Sequence, residues 1–228
     1  LHLPSWNEFH NVTARLLDLG DFLWRGQVHD WPLISRFNRV VKSHRETKLR
    51  SHRNAFVRAV KGRRGDNPRE LDNAEAVWSL GQHYGLITPL LDWTESPFVA
   101  AYFAFWEESC SVLKNVAVTK MIRGCKTKNE REAVMKDTPS RFVYGLSKDI
   151  VRWGPAESEG SEPYGHFFTW IDSPSDENAR LLNQRGLFVA SMSPEIEVEK
   201  TVEQCYAADK EKGVSRIVFV KIQIPEIE

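Results

Sequence analysis

Apolar positions recur at helical spacing from the start of the chain. Trp6, Phe9, Val12, Leu16 and Leu17 form one face of a first helix, opened by a Ser5–Glu8 capping box and stopped at Gly20. The period then changes to two. Over Asp21–Gln27 (DFLWRGQ), Phe22, Trp24 and Gly26 face one way and Leu23, Arg25 and Gln27 the other, which predicts a strand. Trp31–Arg36 reads as an ordered loop. A helix follows from about His44 to Lys61, docked by Leu49, Phe56, Val57 and Val60, and Gly62–Pro68 is a loop. Another helix from about Glu70 to Tyr84 leads into a strand over Leu86–Trp93. Ser96 then caps a helix whose first residue is Pro97. That helix, Pro97 to about Glu107, is apolar on nearly every side and is expected to be buried centrally.

The second half alternates less clearly. Strands are predicted over Asn115–Ile122, His166–Ile171, Leu187–Met192 and Ser215–Ile224, and helices over Lys128–Lys136, Asp176–Gln184 and Val202–Lys212. Arg141–Trp153 fits either state, and Glu157–Gly165, rich in Gly, Pro and acids, is a loop. With no repeat or linker, the pattern predicts one α+β domain over residues 1–228. Its mixed or antiparallel sheet is packed by helices, and the C-terminal half completes the same sheet.

At 228 residues the chain can bury a sizeable core, and 12 Phe and 8 Trp favour a dense interior or an aromatic-lined pocket. No apolar run is as long as a membrane span and no signal peptide stands at Leu1. Three scattered cysteines without metal-ligand or disulfide spacing fit a reducing, cytoplasmic setting.

Charge changes the picture more. The formal net charge of zero hides eleven Lys/Arg against Glu46 alone between Arg36 and Arg64, while Glu157–Glu177 carries acids and no Lys or Arg. Arg45, Lys48, Arg50, Arg53, Arg58, Lys61, Arg63 and Arg64 are therefore candidates to hold a nucleic acid. The alternative is a solvated helix paired with acidic segments of its own chain.

The stretch Trp78–Trp106 sets Gln82, His83, Thr88, Asp92, Thr94 and Ser96 among apolar residues, so these groups satisfy one another or face a ligand. Arg25, between bulky apolar neighbours, needs a carboxylate, carbonyls or a phosphate, and Gly26 beside it admits the close approach of a neighbour or a ligand. A His at position 83 is more often a hydrogen-bonded core residue than a catalyst. Asp92 either holds its corner or pairs with Arg25.

Phe22–Gln27 (FLWRGQ), Trp31–Arg39 (WPLISRFNR) and above all Gln82–Ala104 (QHYGLITPLLDWTESPFVAAYFA) together resemble the FRG domain, a bacterial and phage-associated family. Asn178–Val189 (NARLLNQRGLFV) resembles its later Q-x-G-L-F element. The motif region covers about residues 20–106. Trp24 stands where the family has Phe, and Pro89 where it commonly has Arg in Thr-Arg-Leu-Leu-Asp. The order of elements is in turn similar to the ADP-ribosyltransferase fold. There, a first strand carries an Arg or His that holds NAD, a second ends in a Ser/Thr corner before an alanine- and aromatic-rich helix, and a third element supplies Glu or Gln. The resemblance implies Arg25, Thr94 and Gln184 as catalytic residues. Arg25, Gln27, His83, Asp92, Trp93, Thr94 and Tyr102 would hold NAD, with no metal. It also implies a toxin or antiphage defence role, with a neutralising antitoxin or phage protein as a partner.

Gln184 can grip a ribose hydroxyl but cannot act as a general base, so Glu177, Glu195 or Glu197 is the candidate for that step. The chain has no P-loop, dinucleotide-fold glycine fingerprint, His/Cys metal cluster or G-x-S-x-G, which disfavours the NTPase, Rossmann, zinc-hydrolase and serine-esterase classes. Three functions remain: an NAD-dependent ADP-ribosyltransferase acting on nucleic acid or protein, a non-catalytic nucleic-acid-binding module, or a nucleotide-sensing domain.

Overall fold

A computed structural model describes residues 1–3, 5–63, 71, 73–106, 127, 140–150, 168–172, 186–191, 198–211, 213 and 215–225. Its helices are α1 (Trp6–Leu19), α2 (Arg36–Val40), α3 (Arg45–Val60), α4 (Ala74–His83), α5 (Pro97–Phe105) and α6 (Val198–Glu211). Its strands are β1 (Phe22–Gln27), β2 (Leu90–Thr94), β3 (Ser140–Ser147), β4 (Phe168–Asp172), β5 (Gly186–Ser191) and β6 (Phe219–Pro225). The fold is α+β. The chain falls into two compact units, each assembled from separate stretches: Leu1–Trp31, Thr94–Lys148 and Ile217–Glu228 in the first, Pro32–Trp93 and Asp149–Arg216 in the second.

In the first unit β1 pairs antiparallel with β3 along its whole length, from Phe22 opposite Ser147 to Gln27 opposite Phe142. β3 pairs antiparallel with β6, and Trp24 pairs with Thr94, the last residue of β2. Residues directly opposite in such a ladder share a face. One face therefore carries Phe22, Trp24, Val143, Val220, Ile222 and Ile224. It packs with Phe9 and Leu16 of α1 and Ala100, Ala101 and Ala104 of α5 into one core. Each large side chain in it contributes about 1.5–3 kcal/mol through burial. The first residues border β6, where Leu3 N–H donates to Gln223 O at 2.9 Å and Gln223 N–H to Leu1 O at 2.8 Å.

In the second unit β4 and β5 pair antiparallel, and the strand order runs β4–β5–β2. Trp78 of α4, Leu90, Ile171 and Phe188 form its core, with Leu49 of α3, Ala74 and Leu86 packed against them.

Several elements depart from the sequence pattern for local reasons. Ser5 stands at the N-cap of α1 in extended conformation but makes no side-chain capping bond. Residues 31–35 form the expected loop, but it runs into a short helix the pattern did not predict, α2, because Ser35 Oγ accepts the Asn38 N–H at 3.2 Å. β2 begins at Leu90 rather than Leu86. Pro89 has no N–H to pair, and Thr88 Oγ1 takes the Leu90 N–H at 3.3 Å. The stretch that fits either state forms β3 and a 3₁₀ turn at Lys148–Ile150.

The largest departure is α5. It buries Pro97, Ala100, Ala101 and Ala104 while Phe98, Tyr102, Phe103, Phe105 and Trp106 stay exposed, so it is half-buried rather than central. Its small residues are the ones that reach the sheet. The predicted strand at 115–122, the helices at 128–136 and 176–184 and the loop at 157–165 lie outside the described residues.

Candidate functional site

Arg25 and Gln27 stand on the face of β1 opposite α5. Across the strands, Arg25 is paired with Tyr144 and Tyr144 with Lys221, so three polar heads lie in one row. Asp30, just beyond the end of β1, ties part of that row together. Its Oδ1 accepts the Tyr144 hydroxyl at 3.0 Å and its Oδ2 accepts from Lys221 Nζ. Lys221 also lies over the Phe142 ring, 5.2 Å from its centroid. Gln27 is buried, and its amide donates to Trp31 O at 2.8 Å, which fixes the chain as it leaves the strand. Arg25 is half-buried, and its planar guanidinium carries a charge whatever its surroundings.

Gly26 resolves one alternative. An added Cβ would stand 1.8 Å from Ala100 O and 2.7 Å from Ala104 N, so the close approach that Gly26 permits is by the backbone of α5.

The corner after β2 is fixed several times over. Thr94 Oγ1 accepts the Ser96 N–H at 3.2 Å, and Ser96 Oγ accepts the Val99 N–H at 3.4 Å. Glu95 is bridged to the largely buried Lys148, Nζ to Oε1, at 2.6 Å. Thr94 is buried opposite Trp24 and so shares the α5 side of β1, while Arg25 projects from the other side. Tyr102 is exposed on α5 and packs edge-on against Phe103 and Trp106. The ladder thus groups Arg25 with Gln27, and Thr94 with the side of the sheet that α5 covers.

The remaining named residues belong to the second unit. Gln82, at the last turn of α4, accepts the Thr88 hydroxyl on Oε1 and donates from Nε2 to Asp92 Oδ1 at 3.0 Å. Asp92 is exposed in the middle of a strand whose other four residues are buried, so its carboxylate is steadied by Gln82 while open to solvent. His83 is half-buried and meets Tyr84 edge-on at 5.1 Å. Trp93 is buried, and its indole N–H has no acceptor among the described residues. Gln184, Arg64, Glu177, Glu195 and Glu197 lie outside the described residues; Gln184 falls two positions before β5.

The basic helix is the other candidate surface. No residue of α3 is fully buried, and Lys48, Arg50, Arg58, Lys61 and Arg63 are exposed. Arg53 is half-buried, as is Arg45, whose Nε is committed to Val41 O at 2.9 Å.

Asp30, Tyr144 and Lys221 were not singled out from the sequence. Tyr144 sits in the stretch whose period was ambiguous, and its alignment with Arg25 follows from a strand pairing more than a hundred residues apart, which no local signal carries.

The family comparison falls on the same residues. Residues 20–111 match the FRG domain. The match takes in β1, the Gln82–Thr88–Asp92 contacts, β2 and α5, so it covers Arg25, Gln27, His83, Asp92, Trp93, Thr94 and Tyr102 but not Gln184. No curated protein and no solved structure matches the chain. Among the described residues no group of His, Cys, Asp or Glu is arranged to hold a metal ion, and no helix is long and apolar enough to cross a membrane.

Proposed function

We propose that the FRG-bearing chain is an NAD-dependent ADP-ribosyltransferase-like enzyme, acting on a nucleic acid or protein acceptor as a toxin or phage-defence effector. One observation carries the reading: the order and pairing of elements around Arg25. β1 bears Arg25, it pairs with the end of β2, and β2 turns at Thr94–Ser96 into the alanine- and aromatic-rich α5. β5, which begins two residues after Gln184, stands beside β2 in the strand order. This is the sequence of parts that the resemblance implies.

In this reading the C1′–N bond to nicotinamide breaks and nicotinamide leaves neutral. A C1′–O or C1′–N bond to the acceptor forms, and the acceptor's proton passes to a carboxylate or to water. The developing charge at C1′ resembles that of glycoside cleavage. Arg25 supplies a fixed cation for the pyrophosphate, with the planar fork that suits it. Thr94 acts as the hinge pin of the corner, its hydroxyl oxygen accepting the Ser96 N–H. Gln184 contributes an amide for a ribose hydroxyl.

Incubation with NAD labelled in the adenylate half, together with cellular RNA, DNA and protein, tests this. Label transfer with stoichiometric nicotinamide release is expected, reduced about 100-fold or more in Arg25→Ala and only partly restored in Arg25→Lys. Absence of nicotinamide release with all three acceptors, or an Arg25→Ala protein as active as the wild type, rules the reading out.

A further inference from the structure

We infer that the outward face of α3 is a docking surface for the phosphate backbone of a nucleic acid. Among the described residues the contacts that hold the helix lie on one side of it. Leu49 packs on the core around Trp78, His52 Nε2 donates to Ile87 O at 3.0 Å and its ring stacks on Trp78, and Phe56, Val57 and Val60 are half-buried. The opposite side carries cations in a row. Arg50, Asn54 and Arg58 stand at i, i+4 and i+8, about 6 Å apart along the axis, with Lys61 continuing the row and Lys48 on its flank. Ion pairs among the described residues join Lys148 to Glu95, Arg216 to Asp209 and Lys221 to Asp30; none involves Lys48, Arg50, Arg53, Arg58, Lys61 or Arg63. Glu46 is the one acid on the helix. Among the described residues, then, no acid forms an ion pair with these cations.

The chemistry of the face selects the partner. Thr47, Ser51 and Asn54 are exposed between the cations and can donate to phosphate or sugar oxygens. The only apolar side chains there are the methyls of Ala55 and Ala59, because the larger ones are turned inward. A membrane-surface helix needs an apolar face free to enter the bilayer, and α3 has used its own. What fits is a polyanion gripped by charge and hydrogen bonds.

The test is fluorescence anisotropy with labelled single-stranded RNA, duplex DNA and phosphatidylserine vesicles, without NAD, so its outcome is separate from that of the nicotinamide assay. The wild-type chain is expected to bind RNA or DNA with an affinity that falls steeply with salt. The Arg50→Gln/Arg58→Gln/Lys61→Gln variant is expected to lose at least about tenfold in affinity and about 2 from the slope of log K against log salt, at about 0.7–0.9 per phosphate contact. Replacing the same arginines by Lys keeps the slope, and Arg15→Gln, an exposed cation on α1, changes neither quantity. No binding of either nucleic acid at low salt, binding to vesicles alone, or an unchanged slope in the triple variant overturns the inference.

Discussion

A methyl group at position 26 would lie 1.8 Å from Ala100 O, and since the obstacle is backbone, no rotamer change can relieve it. Gly26→Ala should therefore push α5 off β1 and cost about 3 kcal/mol or more, read as a lowered denaturation midpoint. Gly20→Ala, whose added Cβ meets nothing, serves as the control. The sequence could say that Gly26 marks a close approach, because a glycine between Arg25 and Gln27 in a strand has few other uses. It could not say whether helix or ligand approaches, which depends on where Ala100 ends up. Cys205 shows another side of residue-scale physics. Burial pushes its thiol from 9.0 up to about 11, with the Asp209 carboxylate adding to the rise and Arg216 opposing it. The unfolded thiol ionises first, so the stability this group contributes is complete below about pH 9 and is lost as pH climbs toward 11. Denaturation of the wild type and Cys205→Ser at mildly and strongly alkaline pH should show the wild type losing more stability across that window. Parallel losses would refute the assignment.

Helix starts show how far local sequence reaches at the scale of the element. Ser5, Ser35, Asn73 and Ser96 all stand at N-caps, yet only the last three use their side chains, Asn73 Oδ1 taking the Ala76 N–H at 2.7 Å. Asn73→Ala and Ser96→Ala should each cost about 1 kcal/mol, whereas Ser5→Ala should fall within a few tenths. Thermal melts that rank Ser5→Ala with the others would contradict the geometry. The same contrast explains what was legible. Periodicity placed α1, β1, α3, α4, β2 and α5 within a few residues, because amphipathic faces and turn residues are written locally. The exposure of the α5 aromatics was not legible. An all-apolar helix reads as central, but its contact with β1 is decided by side-chain size: alanines pass close to Gly26 and the rings are left outside. The candidate site divides likewise. That Arg25 needs a partner and that Gln82, Thr88 and Asp92 satisfy one another or face a ligand is legible in single stretches; that Asp92 takes Gln82, and that Arg25, Tyr144 and Lys221 form a row, depends on how separate elements pair.

For the whole molecule, the FRG match and the folded units do not coincide. The matched residues, 20–111 of 228, supply β1, β2 and the helices α2 to α5. They omit β3 and β6, which complete the first unit's sheet, and β4, β5 and α6 of the second. Without β3, β1 loses its ladder partner along all six residues, and without β3 and β6 the core around Trp24 loses Val143, Val220, Ile222 and Ile224. At about 1.5–3 kcal/mol for each buried aliphatic side chain, that loss is comparable with the entire net stability of an ordinary domain. The exposed edge of β1 would also present unpaired N–H and C=O groups to other chains. A fragment of residues 20–111 should accordingly bind hydrophobic dyes, melt without a cooperative transition and associate, while the 228-residue chain unfolds cooperatively. Near-ultraviolet circular dichroism gives the sharpest reading, since Trp24, Trp78 and Trp93 are all within the fragment and are buried in the intact chain. A fragment with an intact aromatic signal and a sharp melt would mean that the FRG stretch carries its own core, and that the strands downstream are additions to a fold already made.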